Sequence, residues 1–127
     1  MKFKVIVKGK AKGNIMKSVK PINFLGAIDK QTGLVKDEHH ELFHKTIKDS
    51  VLVFPHGIGS SVGAYTIYSL KKNNSAPKAM ICLKPDLTVA SGCALANIPL
   101  IVINNIDDDK LTDGTEIILD TDAGKLN

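Results

Sequence analysis

Four consecutive apolar residues, Val51-Leu52-Val53-Phe54, run directly into Pro55 and then into a stretch rich in glycine. An all-apolar run of this length fits a strand covered on both faces, the arrangement of parallel sheets flanked by helices. Pro55 stops it. Similar runs recur at Ala79-Met80-Ile81-Cys82-Leu83 and at Leu100-Ile101-Val102-Ile103. Between the first two, Ala64, Ile67, Tyr68 and Lys71 share one helical face, Lys71 and Lys72 occupy the last turn where they suit the helix dipole, and Asn73-Asn74 are stop signals. The helix is expected from about Val62 to Lys72. Between the second and third runs, Leu87 to Asn97 reads as a short helix of small residues. Three buried strands joined through helices make a central sheet with parallel strand-helix-strand connections.

The ends of the chain read differently. Phe3, Val5 and Val7 alternate with lysines as in a strand with one buried face, and Gly9 to Gly13 reads as a turn. Phe24 to Asp29 reads as a short strand closed by Lys30-Gln31-Thr32-Gly33, with Leu34-Val35 extended again. Near the end, Thr115, Ile117 and Leu119 alternate with Glu116, Ile118 and Asp120, and Gly124 closes a hairpin. The expectation is a mixed α/β chain with antiparallel strands flanking the parallel core. At 127 residues and 13.7 kDa it should form one domain over 1–127. No apolar segment approaches the roughly 20 residues of a membrane span, and Met1-Lys2-Phe3-Lys4 is not the start of an apolar leader. A cytoplasmic location and no membrane partner are therefore expected.

Charge narrows the partners. All 17 basic residues are lysine and the net charge is +4. Nucleic-acid readers lean on the planar fork of arginine, so its absence argues against sequence-specific nucleic-acid binding. Residues 1–20 hold seven lysines and no acid, whereas residues 107–127 hold seven acids against Lys110 and Lys125. Such ends attract each other as neighbours in a fold, dock on different partners, or form two solvated faces. The two cysteines, Cys82 and Cys93, have the spacing of neither a redox pair nor a zinc site, and are too few for an iron-sulfur cluster. They read as buried thiols.

The chemistry concentrates in Gly57-Ile58-Gly59-Ser60-Ser61-Val62-Gly63, between a buried strand and a helix. Glycines there let backbone approach a ligand, and unpaired N–H groups at a helix start favour an anion or an alkoxide. The spacing GxGxxxG, with no GK[ST] after it, matches neither the dinucleotide fingerprint nor the nucleotide-hydrolase phosphate loop. Ser60 or Ser61 can equally cap the helix. A competing pattern, His40-Glu41-Leu42-Phe43-His44, is an HExxH that on a helix would place two imidazoles on one face for zinc, with Glu41 activating water and His56 as the third possible ligand. Its charged start, Lys36-Asp37-Glu38, and the short space before Val51 disfavour that helix.

Read whole, the sequence resembles the small, swivel subunit of the aconitase X family. The resemblance rests on the block from Val51 to Tyr65, above all Phe54-Pro55 followed by Gly57, Gly59-Ser60-Ser61 and Gly63. Further stretches support it: Asp29 to Gly33, His40, Ala76-Pro77, Gly92 to Pro99 and the closing Asp113 to Asp120. It implies a swivelling β/β/α domain and a two-subunit hydro-lyase that acts on a small anionic substrate, phosphomevalonate or hydroxyproline in the family. It also implies a large catalytic subunit that carries the iron-sulfur cluster, with no cofactor or metal bound by this chain. By position, Ser60 takes the family's role of proton acceptor, with Ser61 as second candidate and Gly57, Gly59 and Gly63 binding substrate. The pocket is expected to gather Gly92 to Pro99 as well. A swivel module that uses the loop only to bind an anion is the non-catalytic alternative. Three departures from the family stand out: Ile58 where Arg is frequent, Asn97 where Gly is common, and His44 near a family Gly.

Overall fold

The computed structural model describes Met1–Asn127. Its strands are Lys4–Val7 (β1), Lys10–Lys17 (β2), Val51–Phe54 (β3), Ala79–Cys82 (β4), Leu100–Val102 (β5), Glu116–Asp120 (β6) and Lys125–Leu126 (β7). Its helices are Phe24–Ala27 (α1), Gly63–Lys72 (α2) and Leu87–Ala96 (α3). The strands form one curled mixed sheet in the order β1-β5-β4-β3-β2-β6-β7. β2, β3, β4 and β5 run parallel, while β1, β6 and β7 are antiparallel to their neighbours. The expected core is present: β3 and β4 are buried at every residue, with Val51 opposite Ala79 and Phe54 opposite Cys82. This is the expected mixed α/β architecture, a parallel core flanked by antiparallel strands. No helix is long and apolar enough to cross a membrane.

Alternation along the central strands divides the interior into two apolar clusters. Leu52, Phe54, Met80, Cys82 and Leu100 face the helices, where they meet Phe24, Ile67, Leu70, Val89, Cys93 and Ala96. Phe24 and Phe54 touch edge to face at 5.7 Å, a favoured aromatic geometry. Val51, Val53, Ala79, Ile81 and Ile101 face the other way, onto Leu111, Ile117, Leu119 and Leu126 of the closing segment. Both faces are covered, which is why these strands carry no polar residue.

Two expectations are corrected. Residues 9–13 are not a turn, because β2 starts at Lys10 and pairs with β6 from Lys10 opposite Asp120 to Asn14 opposite Glu116. Glycine and lysine have weak strand preference, and the partner that overrides it lies about a hundred residues downstream. Lys10 to Asp120 at 3.6 Å and Lys12 to Glu116 at 3.7 Å join the basic start to the acidic end, although such exposed pairs add little stability. Phe24 to Ala27 is not a strand but a single helical turn, because the Asn23 side chain accepts from Gly26 N–H at 3.1 Å and caps it. Only Ile28 is extended, bridging Val35.

A candidate active site on the serine loop

Residues 55–62 leave β3 at the carboxyl end of the parallel strands, where ligands bind in open α/β sheets. Two supports hold the loop. On one side Ile22 pairs with it: Ile22 N–H donates to His56 O at 3.2 Å and Ile58 N–H to Ile22 O at 3.0 Å. On the other, Asp86 accepts from Gly57 N–H at 2.8 Å through one oxygen and from Val89 N–H at 3.3 Å through the other, so one carboxylate caps α3 and fixes the loop. Sequence reading missed both Asn23 and Asp86. An Asx residue directly before each helix was the available signal.

The glycines shape this arrangement. A Cβ on Gly57 would lie 2.8 Å from an Asp86 oxygen, and Gly57 and Gly63 are buried. Gly59 has φ +87°, and a Cβ there would lie 2.6 Å from Asn23 Oδ1. Gly59, Ser60 and Ser61 are exposed. The first N–H groups of α2 are taken by the loop itself, Gly63 N–H by Ser60 O and Ala64 N–H by Ser61 O. The N–H groups of Gly59, Ser60 and Ser61 have no acceptor within the chain, so the free donors lie just ahead of the helix. Ser60 Oγ accepts from Val62 N–H at 3.1 Å. Ser60 thus bonds the turn leading into α2, whose own N-cap position, Val62, has no side-chain cap.

Asp86→Ala should remove the acceptor for two backbone donors. We expect a loss of about 1–3 kcal/mol of stability, together with faster amide exchange at Gly57. Unchanged exchange there would contradict the clamp.

The expected gathering of residues 92–99 into the same site does not occur. Gly92 is buried where α2 and α3 meet, and Asn97 and Pro99 line a cavity of about 470 Å³ with Lys8, Lys10, Lys71 and Lys78 at the amino ends of the parallel strands, the opposite end from the loop. Beside the loop, Val62 lines a groove of about 390 Å³ with Leu25, Tyr65, Thr66 and Lys36. Ser60 itself stands on open surface.

The HExxH segment forms turns instead of a helix, with His44 at φ 72°. His40 Nε2–H donates to Pro21 O at 3.1 Å, while Nδ1 accepts from Leu42 N–H at 3.1 Å, so neither nitrogen is free to ligate. Glu41 accepts from Ser18 Oγ at 2.6 Å and Val19 N–H at 2.7 Å. These residues therefore hold 18–21, the segment leading to Ile22 and the loop, and no cluster of three ligating side chains is present. The Ser18 hydroxyl foremost, then Val19 N–H, keeps the Glu41 carboxyl below its ordinary range. A depressed folded value means that the unfolded chain takes up the proton first on acidification. The stability from Glu41 should thus be complete above the ordinary glutamate range and vanish as pH falls through the folded value. Melting curves from pH 6 to pH 3 should show the gap between wild type and Glu41→Gln closing; a constant gap would contradict the assignment.

The two thiols do not fit an iron-sulfur cluster. Cys82 is 1% exposed, with its pKa pushed by burial up to about 12, and its thiol donates to Lys84 O at 3.2 Å. Cys93 is fully buried with its thiol raised further, beside Met80 Sδ at 3.6 Å. Both are core residues without accessible thiolate.

A family model described as the aconitase X swivel domain matches residues 1–127. The chain belongs to the aconitase X family. It is 42% identical over 126 residues to a protein of Thermococcus kodakarensis named phosphomevalonate dehydratase small subunit, covering 99% of this chain and 93% of that one. A Methanosarcina mazei protein of the same name is 44% identical over 129 residues, covering 99% and 90%. The crystal structure of Thermococcus kodakaraensis aconitase X in its holo form superposes with a TM-score of 0.93 at 40% identity, covering 99% of this chain and 95% of that chain. Two departures from the aconitase X pattern now have a physical setting. Asn97, at φ 56°, ends α3 in the left-handed conformation, and His44 is left-handed too. Glycine adopts that conformation without strain, and Asn and His are among the side chains enriched there.

Proposed function

We propose that this chain is the small subunit of a two-subunit dehydratase that converts (R)-5-phosphomevalonate to trans-anhydromevalonate 5-phosphate, with Ser60 as proton acceptor. The observation that carries the reading is the position of Ser60: a hydroxyl on an exposed, braced loop, bonded by Val62 N–H and beside three unpaired N–H groups. The substrate class follows the names of relatives that match along nearly their whole length. In the elimination, the proton on the carbon next to the carboxylate passes to the Ser60 Oγ alkoxide and restores its hydroxyl, the C–H electron pair forms the double bond, and the hydroxyl of the neighbouring carbon leaves with its bonding pair into the part of the site that the large subunit supplies. Free serine is a weak base. It must accept the proton as an alkoxide, and Val62 N–H, the neighbouring donors and the positive end of α2 stabilise that negative charge on Oγ.

The iron-sulfur cluster belongs to the large subunit in this reading, since the thiols of this chain are buried in its core. Ile58 stands where Arg is frequent in the family and offers no charge at the loop, so phosphate recognition falls to lysines or to the large subunit. Co-expression tests the assembly. The chain should co-elute with the large subunit of its own source as one complex that contains iron, and should bind none by itself. Two separate peaks at micromolar concentration would contradict the reading.

A further inference from the structure

From Ser50 to Leu70 the chain carries no Asp, Glu or Lys, and none appears from Leu87 to Ile106, although 24% of all residues are charged. Burial accounts for β3, β4 and β5 but not for the exposed side chains in these stretches. Ile58 of the loop, Val62 and Tyr65 at the start of α2, and Leu87 at the start of α3 are all exposed, Tyr65 by 65% and Leu87 by 75%. Leu25 of α1, also exposed, lines the groove of about 390 Å³ with Val62 and Tyr65. The starts of the three helices adjoin: a Cβ on Gly63 would lie 3.4 Å from Leu25 N and 3.2 Å from Thr88 Cγ2. The result is an apolar rim around Ser60, bordered at the groove by Asp29, Lys30 and Lys36, whereas the lysines of α2 fall only in its last turn. Interface cores are depleted of charge and enriched in aromatic side chains, and an exposed apolar patch with a polar border marks an interaction site.

We propose that Leu25, Ile58, Val62, Tyr65 and Leu87 form the docking surface for the large subunit, with an apolar side chain of that partner seated in the groove between α1 and α2. This rests on the two-subunit reading above. It commits to the large subunit because the rim surrounds Ser60, and a base that meets substrate held by another chain requires that chain to close over this face.

The test measures affinity of the full chain for the large subunit by calorimetry, with Tyr65→Asp and Leu87→Asp as variants and Ile118→Asp, on the outward face of β6, as control. Both rim positions lie in the first turn of a helix, where an added carboxylate is favourable, so the fold should hold. Unchanged melting temperatures would verify it. Each rim variant is expected to weaken binding at least a hundredfold, and the control less than threefold. Rim variants that bind like wild type would overturn the docking surface while leaving the two-subunit reading intact. No binding by wild type would overturn the two-subunit reading itself. Self-association of the chain alone that the rim variants abolish would assign the face to a second copy and also overturn the proposal.

Discussion

Ser60→Ala should lower single-turnover dehydration by the reconstituted two-subunit enzyme by about a hundred to ten thousand fold, the range a positioned proton acceptor supplies. Folding should barely change. The substitution removes one exposed hydrogen bond, from Val62 N–H to Oγ at 3.1 Å, typically worth about 0.5–1.5 kcal/mol. Assembly and the iron spectrum should be those of wild type, because only a group used in the transition state is lost. Ser61→Ala should cost less, since its Oγ receives no hydrogen bond from the turn. If Ser60 serves only the turn, the variant will turn over at near-normal rate, and the base must then be Ser61 or a group of the large subunit.

Gly92→Leu should be the most damaging change away from the loop. A Cβ at this position would lie 2.7 Å from Ile67 Cδ1, 2.9 Å from Ile67 Cβ and 3.2 Å from the Ala64 backbone, so α2 and α3 approach over this glycine. Overpacking of a dense contact costs about 1–3 kcal/mol or more. A loss near the upper end should lower the melting temperature by roughly 10 °C for a domain of this size. Because α2 and α3 both bear on the serine loop, activity should fall with stability. A melting temperature within about 2 °C of wild type would show that the helices separate without penalty.

The parallel core was legible because each of its strands carries its own signal. Val51–Phe54 and Ala79–Cys82 are apolar on both faces since both faces are covered, and Lys71-Lys72 mark the end of α2. β2 was not legible. Its lysines and Gly13 prefer no strand, and it is ordered by pairing with β6, which no local pattern reveals. The short α1 was hidden for the opposite reason: a capping Asn23 outweighs four residues that would pass equally as a strand.

For the site, the loop and its two serines were readable, but the supports were not. Asp86 and Ile22 act from 29 and 35 positions away in sequence. The glycines suggested close approach to a ligand, whereas at Gly57 the close neighbour is the Asp86 carboxylate. Likewise His40 and Glu41, spaced as for zinc, hold backbone at Pro21 and Val19. Spacing alone does not distinguish a ligand from a brace, because both require a polar side chain at a fixed point.

The central claim is that neither chain carries out the reaction alone and that this one supplies the loop which completes the site. Its most direct test is single-turnover conversion of (R)-5-phosphomevalonate by the iron-loaded large subunit, by this chain, and by the two mixed. The account predicts product only from the mixture, saturating at one copy of this chain per large subunit. Full turnover by the large subunit alone, or by this chain without it, would contradict it.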